Sequence, residues 1–294
     1  MESIFHIQGN LDSELAPLFL IHAVSGFATP YMALGPLTSD DPTRSRPIYG
    51  LSCPIYESKS YKIPLSFEKV AREYVDRIRA ERPEGPYMLG GWSMGGMIAV
   101  KMACILQEQG QEVVHVVLID STNPQGCPWF VDEDERSAIA EYTFEAYSKR
   151  TGLPGLEDMS DDEDDFHDSD YYSDSDSDDQ DDDVDIMEYL PRMRKHIVNS
   201  WDMITRAGQG YYLGEGLTSP VTLVKCTELS APPPGISQKR TKAIQEVFND
   251  DRAGWKMEHF NSIPMDAQHD FMFDDEHIST MTQTLRGILA GIDR

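Results

Sequence analysis

A strand, a glycine-rich turn and a helix follow one another directly in the first half of the chain. The stretch PYMLGGWS, residues 86–93, is short and apolar like a buried strand, and MGGMIAVKMACILQEQG, residues 94–110, resembles a buried helix. The turn between them fits the pattern G-x-S-x-G, in which a strained backbone exposes the serine hydroxyl where a strand becomes a helix. A side chain at Gly91 or Gly95 would collide with the tight packing of strand and helix. The pattern therefore predicts Ser93 as a catalytic nucleophile, and a glycine-rich turn without chemistry is the alternative.

Apolar strand candidates alternate with helix candidates on both sides of this turn. The strand candidates are, in order, APLFLIHAVSG, PIYGLSCP, PYMLGGWS, EVVHVVLID, PVTLVKC and MEHFNSI. LSFEKVAREYVDRIRAE carries apolar residues at near-helical spacing, and HISTMTQTLRGILAG is a candidate for a closing helix. Near-continuous apolar strands are typical of parallel sheets that helices cover on both faces. We predict an α/β fold with a mostly parallel, doubly wound sheet.

The net charge of −26 is concentrated in one segment of the chain. Residues 157–185 contain 17 acidic residues and no Lys or Arg. Such a tract cannot bury enough apolar surface to offset its ordering entropy, so we expect a disordered insertion. It lacks the glycine-turned ligand spacing of calcium loops, which favours a solvated spacer over a metal site. Most of its serines precede acidic residues, a context that acid-directed kinases favour, so a regulatory role is the other alternative.

Composition excludes several classes of protein. The longest apolar runs, such as PLFLIHAV, reach about eight residues, whereas a bilayer span needs about twenty. No basic or aromatic-interleaved patch suggests nucleic-acid binding, and the acidic charge opposes it. The four cysteines show no CxxC spacing, and no signal peptide opens the sequence. We expect a cytoplasmic protein that binds neither membranes nor nucleic acid.

A serine nucleophile near neutral pH needs a base, and that base needs an acid to hold its tautomer. In a fold of this kind the chain order is serine, acid, histidine, with the partners at the carboxyl ends of strands. Asp120 ends EVVHVVLID, and Glu228 follows PVTLVKC. Both strand ends are usual places for the acid, so both residues are candidates.

The base is expected in a loop near the end of the chain. His269, in DAQHDFMF, lies between the last strand candidate and the last helix candidate, as the order requires. The other seven histidines precede the serine or lie within the acidic tract or predicted strands and helices: His6, His22, His115, His167, His196, His259 and His277.

An oxyanion formed at the substrate carbonyl requires two backbone N–H donors. One comes from the residue after the nucleophile, and the other from the loop after an early strand. Met94 fills the first position. In the loop HAVSG after APLFLI, Val24 is our candidate, ahead of Ala23 and Ser25.

Several of these segments together resemble a known family. PLFLIHAVSG, PIYGLSCP, GPYMLGGWSMGGMIAV, VVLIDS and HDFMF, in this order, are similar to the thioesterase domains that end fungal polyketide and nonribosomal-peptide synthetases. The resemblance implies an α/β-hydrolase fold with Ser93 as nucleophile, His269 as base and Asp120 as acid, which favours Asp120 over Glu228. It also implies a helical lid inserted at residues 123–219, between core segments 1–122 and 220–294.

The same resemblance implies a function. The implied protein is a serine thioesterase that releases a polyketide or peptide acyl chain from the phosphopantetheine arm of a carrier protein. Release occurs by hydrolysis, cyclisation or transfer, and the enzyme needs no cofactor of its own. Because the sequence begins at the thioesterase-like region, we expect a free-standing enzyme that meets its carrier in trans. The acidic tract should repel an acidic carrier. A carboxylesterase acting on free small esters would use the same residues and is the alternative; a noncatalytic binding protein with a hydrolase fold is a third.

Overall fold

The computed structural model describes residues 2–37, 41–58, 60–155, 188–210 and 212–293, so the acidic tract lies outside the described residues. Seven strands form one sheet in the order β1-β3-β2-β4-β5-β6-β7, and only β1 runs antiparallel to its neighbour. The strands are β1 (Ile4–Gln8), β2 (Leu18–Ile21), β3 (Ile48–Leu51), β4 (Tyr87–Trp92), β5 (Val113–Ile119), β6 (Val221–Glu228) and β7 (Phe260–Gln268). The α-helices are α1 (Phe67–Glu81), α2 (Met94–Glu108), α3 (Glu133–Thr151), α4 (Leu190–Ala207), α5 (Gln238–Asn249) and α6 (Ile278–Ile292).

Helices cover both faces of the sheet, which confirms the doubly wound α/β architecture. Leu118 of β5 belongs to the apolar core shared with α1 and α2, whereas its neighbour Val117 belongs to the core shared with α6. Successive side chains of a strand point to opposite faces, so a strand with helices on both sides must be apolar at every position. All six residues of β4, at the centre of the sheet, are buried.

Two elements are absent from the sequence-based prediction, and the starts of two others were wrong. Neither strand β1, which contains His6, nor helix α5 is among the predicted elements. Strand β7 begins at Phe260 rather than Met257 and continues through Pro264 to the residue before His269. A proline is tolerated there because β7 is an edge strand. His277 precedes α6 instead of lying inside it.

Helices α3 and α4 lie between β5 and β6 in the chain, where the lid was expected. Phe144 of α3 and Ile197 of α4 share an apolar cluster with Tyr56, which belongs to a short 3-10 turn after β3. The start of α3 is attached to α5 by a buried ion pair, in which Arg240 Nε lies 3.1 Å from Glu135 Oε1. The residue bounds 123–219 for the lid and the division of the core remain predictions.

No helix in these described ranges is both long and apolar enough to cross a membrane.

Candidate active site

Ser93 occupies a strained turn between β4 and α2. Its backbone has φ 57° and ψ −126°, a conformation that costs a non-glycine residue energy and is concentrated at functional sites. Its N–H donates a 2.9 Å hydrogen bond to Ile119 O of the neighbouring strand, which fixes the turn against β5. The serine is thus held at the carboxyl edge of the sheet, at the start of a helix whose positive dipole end favours negative charge nearby.

Two glycines allow α2 to approach the sheet this closely. A Cβ atom at Gly91 would lie 2.3 Å from the carbonyl carbon of Gly95, and a Cβ atom at Gly95 would lie 2.2 Å from Ile21 O. Both contacts are with backbone atoms, which cannot rotate away as a flexible side chain could. A side chain at either position would therefore collide with the backbone, as expected from the sequence.

His269 and Asp120 form a hydrogen-bonded pair. Nδ1 of His269 donates to Asp120 Oδ2 at 2.7 Å, and Asp120 Oδ1 accepts a 2.9 Å hydrogen bond from the backbone N–H of Cys226. Asp120 follows β5 directly with φ 39°, and His269 follows β7. Glu228, the competing acid, is exposed at the end of β6, where its carboxylate reaches Gln268 and not His269.

The pair shifts the pKa of both members. Burial by itself lowers the pKa of His269, but the hydrogen bond and charge of Asp120 more than offset it, and the net pKa lies above the usual histidine value. Burial would raise the pKa of Asp120, yet the bonds from His269 and Cys226 hold it below its usual value. With Nδ1–H committed to Asp120, the neutral imidazole presents an unprotonated Nε2 that can accept a proton.

Ser93 and His269 line one cavity, to which helices α3 and α4 also contribute side chains. The residues that line it are Ala23, Val24, Ser25, Trp92, Ser93, Thr143, Tyr147, Arg150, Ile197, His269 and Asp270. Within the described residues no hydrogen bond joins the Ser93 side chain to His269. Hydrogen bonds between catalytic residues often form only when substrate is bound. The absence of this bond therefore does not argue against Ser93 and His269 acting together in the cavity that they share.

The two proposed oxyanion donors come from the start of α2 and from the loop after β2. Met94 is the first residue of α2, and Val24 lines the cavity beside Ala23 and Ser25. In the part of the chain that the structure describes, the N–H groups of Met94 and Val24 donate to no protein acceptor. Of the two, Val24 lines the cavity, where its N–H is available to a ligand, and the catalytic role of both donors remains a prediction.

Arg150 is a cavity residue that the sequence analysis missed. Its Nη1 donates a 2.6 Å hydrogen bond to Asp270 O, and its guanidinium lies 4.9 Å from the centre of the Trp92 ring and 5.1 Å from that of Tyr147. Thr143, Tyr147 and Arg150 are spaced four and three residues apart, so they share one face of α3. That spacing is visible in the sequence, but nothing in it says which face of the helix meets the cavity.

A serine on a strained strand-to-helix turn, at the carboxyl edge of a mostly parallel sheet, is the arrangement of the α/β-hydrolase fold. A sequence model of the thioesterase domain matches residues 16–168. The chain is 39% identical to thioesterase pytI of Aspergillus terreus over 315 aligned residues, which cover 100% of both proteins. It is also 39% identical, over 120 residues, to the non-reducing polyketide synthase PKS12 of Gibberella zeae, an alignment covering 41% of this chain and 6% of the synthase.

A solved structure supports the fold. The crystal structure of the NocB thioesterase domain, in covalent complex with a fluorophosphonate nocardicin G analog, superposes with a TM-score of 0.63 at 22% identity, covering 98% of this chain and 100% of that one. The chain belongs to the thioesterase family, and the α/β-hydrolase fold that the resemblance implied is confirmed.

Proposed function

We propose that this chain is a serine thioesterase that releases an acyl chain from the phosphopantetheine thioester of a carrier protein, through an acyl-serine intermediate. One observation carries the proposal: Ser93 lines the same cavity as a histidine whose Nδ1 is bonded to a carboxylate. The roles are nucleophile for Ser93, base for His269 and acid for Asp120. The full-length similarity to a thioesterase supports the thioester as the bond that is broken.

Acylation begins when Nε2 of His269 takes the proton of the Ser93 hydroxyl. The serine oxygen bonds to the thioester carbonyl carbon, and the N–H groups of Met94 and Val24 stabilise the resulting oxyanion. The carbon–sulfur bond then breaks, and the imidazolium returns the proton to the departing pantetheine thiol. Asp120 stabilises the imidazolium and keeps Nε2 facing the reaction.

The acyl-enzyme is then released by a second attack at the same carbonyl. Nε2 of His269 takes a proton from the attacking group as that group bonds to the carbonyl carbon. The bond between this carbon and the Ser93 oxygen then breaks, and the imidazolium returns the proton to Ser93. Water gives an acid, an internal hydroxyl gives a lactone, an internal carbanion gives a carbocycle, and the hydroxyl of another molecule gives an ester. The lid residues of the cavity decide between these outcomes, because they determine how the chain folds and how much water enters.

The carrier is proposed to be the acyl or peptidyl carrier protein of a synthase, met in trans. The support is the local similarity to a polyketide synthase together with the full-length similarity to a protein named only as a thioesterase. A carboxylesterase acting on free esters is the second candidate. No feature of the cavity favours it, but it would use the same catalytic residues.

A comparison of matched substrates tests the proposal. Acyl-pantetheine thioesters and the matching oxoesters of N-(2-hydroxyethyl)pantothenamide, the oxygen analogue of pantetheine, carry the same acyl group on the same arm and differ only in the leaving atom. A thioesterase should show kcat/KM at least about tenfold higher on the thioester, and a further gain when the acyl group is delivered on a carrier protein. Equal or higher kcat/KM on the free oxoester, with no gain from the carrier, would identify a carboxylesterase.

A further inference from the structure

The loop after β2, which contains the candidate oxyanion donor Val24, is fixed by hydrogen bonds from buried side chains. Three consecutive backbone carbonyls each accept a hydrogen bond from a different buried side chain, and a fourth, that of Gly26, accepts from Cys53 N–H at 2.8 Å. The three side-chain bonds are His22 Nδ1 to Ala23 O at 2.7 Å, His196 Nδ1 to Val24 O at 2.8 Å and Tyr56 Oη to Ser25 O at 2.5 Å.

Holding the carbonyls also directs the N–H groups. In a trans peptide the C=O of one residue and the N–H of the next point in opposite directions. The bond to Ala23 O therefore aims the N–H of Val24 away from His22, and the bond to Val24 O aims the N–H of Ser25 away from His196. Among the described residues neither N–H has a protein acceptor, and both Val24 and Ser25 line the cavity. The buried side chains thus leave two free donors on the cavity side of the loop.

The hydrogen bonds fix the protonation of both histidines. His22 donates from Nδ1, so its Nε2 accepts from the Tyr74 hydroxyl at 2.6 Å. His196 shares its Nδ1–H between Val24 O and Ser200 Oγ, and the Ser200 hydroxyl donates back to His196 O at 2.7 Å. Burial lowers the pKa of His22 to about 3 and that of His196 to about 4, so both rings are neutral donors near neutral pH.

His196 differs from His22 because it belongs to the lid. It lies on α4, 172 positions along the chain from the carbonyl that it holds. Its ring packs against the loop where Gly26 has φ +83°, and a Cβ atom there would lie 3.2 Å from His196 Cγ and 2.9 Å from the Tyr56 ring. The position of α4 therefore directly affects the position of the loop backbone beside the proposed nucleophile.

We propose that His196 is a positioning residue that, with His22, holds the N–H groups of Val24 and Ser25 toward the oxyanion, so that helix α4 sets the geometry of the oxyanion hole. The proposal rests on the proposed thioesterase function. It does not depend on the acyl chain, because it concerns only the carbonyl that every substrate shares.

Substitution at this position tests the proposal. His196→Leu removes the donor, whereas His196→Asn places an amide N–H near the position of Nδ1. We expect His196→Leu to lower kcat for an acyl-pantetheine thioester by about 10- to 100-fold with KM within about threefold, and His196→Asn to recover most of the loss. Thr205→Val, a nearly isosteric change at another fully buried position of α4, is the control and should keep wild-type kcat. If the leucine variant does not fold, His22→Leu makes the corresponding test at Ala23 O, which belongs to the peptide that carries the Val24 N–H.

Two inhibitors distinguish a loss of oxyanion-hole geometry from general damage to the active site. A trifluoromethyl ketone analogue of acyl-pantetheine forms an oxyanion with Ser93, whereas a thioether analogue binds without one. His196→Leu should lose affinity for the ketone by the same factor as kcat and keep its affinity for the thioether. Equal losses for both inhibitors, an unchanged kcat, or an asparagine variant as impaired as the leucine variant would overturn the proposal. In each of these cases the wild-type enzyme still turns over the thioester. If the proposed function itself is wrong, the wild-type enzyme will not turn over the thioester.

Discussion

Nδ1 of His269 lies 2.7 Å from Oδ2 of Asp120, although the two residues are 149 positions apart in the chain. They meet because β5 and β7 run parallel with β6 between them, so that the ends of both strands reach the same edge of the sheet. The carboxylate therefore fixes which nitrogen of the imidazole faces the cavity.

This relationship predicts unequal effects for the two acids considered from the sequence. Asp120→Asn should lower kcat by about 10³- to 10⁴-fold, because an amide cannot hold the imidazole in the required tautomer or stabilise its charged form. Glu228→Gln removes an exposed carboxylate that does not contact His269 and should change kcat less than about threefold. Steady-state kinetics of both variants on one thioester make the comparison. The opposite ranking would move the acid to the end of β6.

The charge of Arg150 predicts a shift in pH dependence. With His269 as the proposed base, turnover should require its neutral form and should fall as the pH drops through the pKa of that residue, which lies above the usual histidine value. Arg150 opposes the imidazolium, so Arg150→Gln should raise this pKa further and move the acid limb of kcat/KM to higher pH. Lys149→Gln removes the same charge from an exposed neighbour and is the control. A limb that moves to lower pH, or moves equally in both variants, would contradict the assignment.

Two glycine substitutions test the packing of the turn. Gly95→Ala should lower the free energy of unfolding by about 3 kcal/mol or more, because the added methyl group meets the backbone of β2. Gly287 is exposed within α6, and a Cβ atom there meets nothing within 4 Å. Gly287→Ala should therefore raise the free energy of unfolding by about 0.5–1 kcal/mol. Urea unfolding measures both, and a Gly95→Ala variant as stable as wild type would show that α2 can shift away from the sheet.

The sequence predicts the centre of this molecule better than its periphery. Strands β4 and β5 are apolar at nearly every position, and the glycines around Ser93 are explained by one turn, so that local pattern and global packing agree. Strand β1 and helix α5 lie at the margins of the fold. Strand β1 has only five residues, and helix α5 is mostly polar with Arg240 as its one buried residue, so neither shows the long apolar pattern of the core elements; β1 becomes a strand only by pairing with β3.

The residues of the candidate site also differ in how well the sequence predicts them. Ser93 and His269 could be identified because a motif and a chain order constrain them, and the resemblance to thioesterases favoured Asp120. Arg150 and His196 could not, because their importance depends on how the lid helices dock. The sequence predicts that His196 lies in a helix, and it does lie on α4, but the carbonyl to which it donates belongs to a loop 172 positions away.

The central claim is that Ser93 carries the acyl chain, and intact-protein mass spectrometry tests it most directly. A chain incubated with an acyl-pantetheine thioester and quenched in acid should gain the mass of one acyl group, and peptide mapping should place it on Ser93. Ser25, the other serine that lines the cavity, provides the control: Ser25→Ala should still be acylated, and Ser93→Ala should not. An adduct that persists in Ser93→Ala, or one that maps to Ser25, would contradict the account.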